Sequence, residues 1–132
     1  MKRFRLFLLP FLVLIIATSC NKNKQGEDLV IGNWKMTKTY SGWGGVQIVP
    51  PGETYLLKIN SDHHFQELHN DTVKFEGEWK VYSRIIQLTD SKGWIFKDLT
   101  RNYEMVINRQ GTKLEFYQDG VMDGGGVEYE HY

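Results

Sequence analysis

Residues 72 to 82 alternate between two kinds of side chain along their whole length. A period of two spreads apolar groups around every side of an α-helix, but it gives a β-strand one apolar face and one polar face. The segment therefore predicts a strand with one face buried and the other in water. The residues on the predicted buried face are Val73, Phe75, Gly77, Trp79 and Val81.

Short strands are also predicted along the rest of the chain from residue 29 onward. Tyr55, Leu57 and Ile59 alternate ahead of the turn residues 60–62, and residues 65–69 return from that turn, which predicts a hairpin. No stretch long enough for a stable helix shows an amphipathic helical pattern, so we predict an all-β domain. The other predicted strands are 30–40, 84–89, 93–99, 102–108, 112–118 and 127–132.

The order of these strands constrains the architecture. Roughly eight strands joined mostly by tight turns favour an up-and-down meander, in which each strand pairs with its neighbour in sequence. Such a sheet either packs face to face as a sandwich or closes as a barrel, and closure removes the exposed edges that invite aggregation. We therefore predict a small up-and-down antiparallel β-barrel of about eight strands over residues 29–132.

The first 20 residues have a different character from the rest of the chain. Basic residues at the start are followed by an apolar run over 6–16, then by the small residues 17–19 and by Cys20, the only cysteine. This order is typical of a signal peptide. An uncleaved membrane anchor is disfavoured, because a spanning helix needs roughly 20 apolar residues and Pro10 interrupts this shorter run. A signal cut by the ordinary peptidase, leaving a free thiol, is the other alternative.

The segment that ends at Cys20 resembles the lipobox of bacterial lipoproteins. The resemblance implies that residues 1–19 are removed and that a diacylglycerol on Cys20 ties the mature protein to a membrane. Residues 20–28 are polar and predict a flexible tether. Asn21 is not the aspartate that retains such proteins at the inner membrane, so we expect the periplasmic face of the outer membrane, with the cell surface as the alternative.

Removal of the signal changes the composition that matters. Taking 19 residues from 132 leaves 113, enough for one small domain. The signal holds three of the 16 basic residues and none of the 16 acidic ones, so the formal charge falls from zero to −3. A negative domain is a poor partner for nucleic acid. With Cys20 acylated no thiol remains, which excludes disulfides, thiolate metal sites and a cysteine nucleophile.

The first strand carries a second resemblance. Residues 31–36, Ile-Gly-Asn-Trp-Lys-Met, are similar to the Gly-x-Trp opening of lipocalins and other calycins. The loop 50–52 and the Gly-x-Trp at residues 77–79 extend the likeness to the lipocalin-like lipoproteins of bacteria. The resemblance implies that Gly32 and Trp34 close one end of the barrel. It also implies an arginine across Trp34, for which Arg109 is favoured over Arg101, and a small hydrophobic ligand.

Four aromatic residues are the candidates for contact with such a ligand. Trp43 lies in the glycine-rich segment 41–45 of a long first loop, where it is placed either as a lid or folded back on the rim. Tyr55, Phe75 and Trp79 are on the predicted inner face. The competing function is an interaction module that docks onto an envelope protein or a glycan through Trp43 and Trp94. An open apolar cavity of at least about 300 Å³ favours a ligand carrier, and a filled barrel favours the interaction module.

Other motifs are weaker. The turn at 62–64 contains two histidines, and the loop 119–126 contains two aspartates, but neither has the ligand spacing of a zinc or EF-hand site. The chain lacks the sequence motifs of the common hydrolases. We therefore expect no metal, no cofactor and no catalytic residue, and we predict a protein that is not an enzyme.

Overall fold

The computed structural model describes residues 22–121 and 123–132. The predicted signal peptide and Cys20 lie outside these residues. A short helix precedes nine strands. The elements are α1 (Lys24–Glu27), β1 (Gly32–Ser41), β2 (Gly45–Ile48), β3 (Tyr55–Ile59), β4 (His64–His69), β5 (Thr72–Ile86), β6 (Ser91–Asp98), β7 (Tyr103–Gln110), β8 (Lys113–Tyr117) and β9 (Gly126–His131).

The strands form a closed antiparallel barrel. From β3 to β9 each strand pairs with the next one in sequence, and β1 pairs with both β3 and β9, which closes eight strands into a ring. The ninth strand, β2, pairs with residues 38–41 of β1 on the side opposite β9, and we call this β1–β2 hairpin the ribbon. This arrangement confirms the predicted all-β fold and the up-and-down barrel.

Strand β5 is longer than the sequence pattern predicted. Residues 72–86 form one continuous strand, where we expected separate strands at 72–82 and 84–89. The first half of β5 pairs with β4, and the half from Trp79 onward pairs with β6 as far as the pair Ile86 and Ser91. After Val81 the next buried residue is Ile86, which belongs to the second cluster on the opposite face, so the apolar alternation breaks although the pairing with β6 continues.

Two short elements were not predicted. Residues 24–27, expected in the tether, form α1, and Gly26 is buried so closely against Trp94 and Val81 that a side chain there would clash with both. Residues 45–48, expected in a loop, form β2 after a turn in which Gly45 has a φ of 66°. Trp94, expected as an exposed anchor, is half-buried because α1 packs against it.

Aromatic side chains fill the bore of the barrel. Phe96 lies at the centre of this group, with its ring centroid 5.9 Å from Trp79, 5.9 Å from Phe65 and 5.1 Å from Phe116. Tyr129 continues the chain of contacts from Phe116 at 6.1 Å. Five rings in contact across a bore of this size leave the interior occupied by the protein's own side chains. The buried members of the core are Val30, Trp34, Leu57, Ile59, Phe65, Trp79, Val81, Phe96, Ile107, Leu114, Phe116 and Tyr129.

A smaller apolar cluster lies on the outside of the barrel wall. Ile86, Ile95 and Val106 are buried there, under Tyr82 and Tyr117. The loop after β8 is tied to the turn after β5 next to this cluster. Asp119 in that loop accepts hydrogen bonds from the backbone N–H groups of Gln87 and Leu88 and from the guanidinium of Arg84.

Candidate functional site

One end of the barrel, which we call the floor, is closed around Trp34. This side chain is completely buried, and its indole N–H donates to the carbonyl of Val30 at 2.7 Å. The guanidinium of Arg109 lies 4.5 Å from the centroid of the Trp34 ring and donates to the carbonyls of Leu29 and Gly111. The residues predicted from the resemblance therefore lie together at this end.

Gly32 shows why a glycine precedes Trp34 in the floor. Its φ is 146°, a conformation that L side chains rarely adopt. A Cβ at this position would also lie 3.3 Å from Nε2 of His131, whose ring packs edge-on against Trp34. The backbone conformation therefore favours glycine here, and a side chain would also crowd the His131 ring.

The opposite end, which we call the mouth, contains an arginine that sequence reasoning did not assign there. The Arg101 guanidinium lies 3.9 Å from the centroid of the Phe75 ring and forms ion pairs with Glu67 and Asp98. Asp98 is only 2% exposed, and it also accepts the backbone N–H groups of Thr100 and Arg101. The two carboxylates outweigh the effect of burial and raise the pKa of Arg101. The mouth is thus occupied by a half-exposed ionic cluster.

One signal for this cluster is present in the sequence. Glu67 and Asp98 lie two residues after Phe65 and Phe96, so the period of two places both carboxylates on the inner face. A buried carboxylate needs a cation to offset the loss of hydration, and Arg101 follows Asp98 by three residues in the connection between β6 and β7. Its contact with Glu67 depends on the curvature of the barrel, which no local pattern indicates.

A cleft of about 280 Å³ opens at the rim of the mouth, between the β1–β2 ribbon and the start of β3. Tyr55 stacks on His69 with ring centroids 4.3 Å apart, and its hydroxyl donates to Glu53. The hydrogen bond to Glu53, together with burial, raises the pKa of Tyr55. We call this cleft the rim cleft; its lining residues are Met36, Thr39, Gln47, Ile48, Val49, Pro50 and Tyr55.

The β1–β2 ribbon next to the rim cleft carries an exposed apolar surface. Trp43, at the tip between the two strands, is 94% exposed. Val46 and Ile48 on β2 are also exposed, and they lie on the same face because they are two residues apart on a strand. We call Trp43, Val46 and Ile48 the ribbon patch. Exposed apolar side chains within one short hairpin are a feature of many binding surfaces.

The four predicted ligand residues do not form one site. Tyr55 lines the rim cleft, and Trp43 lies at the ribbon tip outside that lining. Phe75 lies under Arg101 in the mouth. Trp79 is 1% exposed, and its indole N–H is shared between the carbonyls of Asn60 and His64. Trp79 is thus a core residue held to the turn before β4.

The described residues contain neither a cluster of metal-binding groups nor a helix that could span a membrane. Within 22–121 and 123–132, no three histidine, cysteine or acidic side chains are grouped closely enough to hold a metal ion. In the same part of the chain, no helix is long and apolar enough to cross a membrane. The arrangement of the rim is suited to binding through packing of apolar surface, with a few polar groups at its edge.

Comparisons with known proteins leave the family open. No protein-family model, no curated protein and no solved structure matches the chain. The class defined by the fold is therefore a closed eight-stranded antiparallel barrel with a filled bore and one additional strand, β2, paired with β1.

Proposed function

We propose that this protein is a lipid-anchored binding domain of the bacterial cell envelope, without enzymatic activity, that docks onto a partner protein through its ribbon patch. The sequence before Cys20 supports the anchor. The filled bore supports docking over internal carriage, since an eight-stranded barrel has room either for side chains or for one small ligand. The observation that carries the proposal is the exposure of Trp43, Val46 and Ile48 on the ribbon, whose strand β2 lies outside the eight-stranded ring.

Edge-strand geometry supports a protein as the partner. β2 is the terminal strand of the sheet order and pairs only with β1. An edge strand offers backbone donors and acceptors to an extended segment of another chain, and exposed apolar side chains add affinity. Natural proteins usually place charges or proline on such an edge, whereas the ribbon patch is apolar.

Site-specific photo-crosslinking in cells tests this proposal. A photoreactive phenylalanine analogue replaces Trp43, Val46 or Ile48 in separate variants, with Val73 as the matched control because it is an exposed apolar residue on β5. We expect a discrete adduct with another protein from the ribbon positions and none from residue 73. Equal adducts from residue 73, or none from the ribbon, contradict the proposal.

The anchor is tested separately by intact mass measurement of protein extracted from membranes. We expect the mature chain to begin at Cys20 and to carry the mass of a diacylglycerol and any further acyl group. A Cys20→Ser variant should lose this mass and leave the membrane fraction. Separation of inner and outer membranes then tests the proposed location in the outer membrane, facing the periplasm.

The rim cleft favours a second candidate, the binding of a small hydrophobic ligand such as a lipid at the mouth. Its volume of about 280 Å³ suits one short acyl chain or ring. Val49→Trp should fill the cleft, and Val46→Trp is the matched control because residue 46 does not line it. Binding of saturated fatty acids from hexanoate to palmitate, followed by tryptophan fluorescence and native mass spectrometry, should be lost only in Val49→Trp. Absence of any bound species in the unaltered protein excludes this candidate.

A further inference from the structure

A second cleft lies near the floor, between α1 and the part of the β5–β6 hairpin that extends past the core. Its volume is about 610 Å³, and it is open to solvent. Three lysines face one aspartate around it, which gives the lining a formal charge of +2. We call it the lysine cleft; its lining residues are Lys22, Lys24, Gln25, Asp28, Ser83, Lys92 and Trp94.

Packing fixes the position of this cleft relative to the barrel. Gly26 of α1 lies directly against the Trp94 ring, so the helix cannot move closer to the hairpin or be replaced by a bulkier turn. Lys92 is directly paired with Ile85 across the two strands, which places both side chains on the same face. Ile85 is exposed. The lysine cleft therefore has cationic groups and an exposed apolar side chain side by side.

The sign of this surface is opposite to that of the whole domain. The chain from residue 20 onward has a formal charge of −3, so the three lysines at the floor are a local exception. They also lie where the chain enters the barrel, and Lys22 is only two residues from Cys20. Acylation of Cys20 would hold this end of the barrel at the level of the lipid headgroups.

We propose that the lysine cleft binds the phosphate groups of anionic phospholipids, so that the floor rests on the membrane and the ribbon patch faces away from it. This inference rests on the proposed anchor, and it specifies the orientation of the anchored domain. Lys22, Lys24 and Lys92 supply the electrostatic attraction, which is worth about 1 kcal/mol for each basic residue near an anionic surface. Ile85 contacts the apolar side of the headgroup layer.

The test uses a soluble chain of residues 21–132, which keeps every described strand pairing and both apolar clusters. Co-sedimentation is measured with vesicles of phosphatidylcholine alone and of phosphatidylcholine mixed with phosphatidylglycerol. We expect binding only to the anionic vesicles, weakened about fivefold by Lys24→Gln or by Lys92→Gln. Lys74→Gln is the matched control, since it removes the same charge from an exposed residue near the mouth, and it should change binding less than about twofold.

Three outcomes overturn the inference. The first is no preference for anionic over neutral vesicles, and the second is an equal loss of binding in Lys74→Gln and Lys92→Gln. The third is lysine-dependent binding of inorganic phosphate without binding to vesicles, which assigns the cleft to a soluble anion. None of these results affects the mass of Cys20 or the crosslinks from Trp43, so failure here is distinguishable from failure of the proposed function.

Discussion

The two ends of the barrel are both covered by an arginine over an aromatic ring, but the partners of the two arginines differ. Arg109 at the floor lies over the buried Trp34 and donates to neutral backbone carbonyls. Arg101 at the mouth lies over Phe75 and pairs with two carboxylates, while its own side chain is 46% exposed. The same residue type thus closes the floor as part of the core and covers the mouth as part of a surface ion cluster.

The largest expected difference concerns the rings. Trp34→Ala should destabilise the protein by about 3–5 kcal/mol, because it removes a fully buried indole and leaves a cavity. Phe75→Ala should cost less, about 1–3 kcal/mol, since its ring is partly exposed under Arg101. Urea unfolding of both variants checks this order. An equal or larger loss for Phe75→Ala would show that the mouth is packed as firmly as the floor.

The dependence of stability on salt concentration distinguishes the two arginines more sharply. Arg101→Met should cost about 1–2 kcal/mol in low salt, because Asp98 keeps its backbone donors but loses its cation. This cost should shrink in molar salt, which screens ion pairs. Arg109→Met should cost about 1–2 kcal/mol at either salt concentration, since its acceptors are uncharged. A salt-independent cost for Arg101→Met would contradict the ionic description of the mouth.

A fall in pH should lower the free energy of unfolding through Asp119, a carboxylate in the loop that follows β8. Burial alone would raise the pKa of Asp119, but the N–H groups of Gln87 and Leu88 and the Arg84 guanidinium lower it. A lowered pKa in the folded state contributes stability above the unfolded pKa of about 4, and this contribution disappears as the pH falls through the folded value. We expect Asp119→Asn to flatten the fall in stability below about pH 4 in urea titrations. An unchanged acid profile would assign the loss to other carboxylates with a lowered pKa, such as Glu104 and Glu128.

The smallest expected effect is at the ribbon. Trp43→Ala should change stability by less than about 0.5 kcal/mol, because the side chain is 94% exposed. The same variant should abolish the proposed docking. A clear thermal destabilisation would show that Trp43 packs on the rim, which was the alternative interpretation of this residue.

The parts of the fold with a strong period were predictable from the sequence. The alternation of apolar and polar residues predicted β5 from Val73 to Val81, and the turn residues predicted the hairpin of β3 and β4. Closure of the barrel was predicted because it removes exposed strand edges. The helix α1 and strand β2 were not predictable, because four residues are too few to show a period. The burial of Trp94 depends on contact with Gly26, which is distant in sequence.

The floor and the mouth also differ in how far the sequence predicts them. A local motif predicted the floor, since Gly32 and Trp34 are two residues apart in the first strand. The mouth depends on the register between strands, because Glu67, Asp98 and Arg101 meet only after the barrel has closed. The bulge between Glu67 and Leu68 also shifts the pairing of β4 with β5, and nothing in the sequence marks it.

The length of β5 has a consequence for how the chain folds. Its two halves pair with different neighbours, and β1 likewise pairs with both β3 and β9, so these two strands join the hairpin of β3 and β4 to the meander of β6 to β9. Each of those units needs only contacts close in sequence, which form quickly. The pairing of β1 with β9 instead brings together the two ends of the domain, and its loop-closure entropy is the largest in the barrel. Closure of that last seam, rather than formation of any hairpin, should limit the rate of folding.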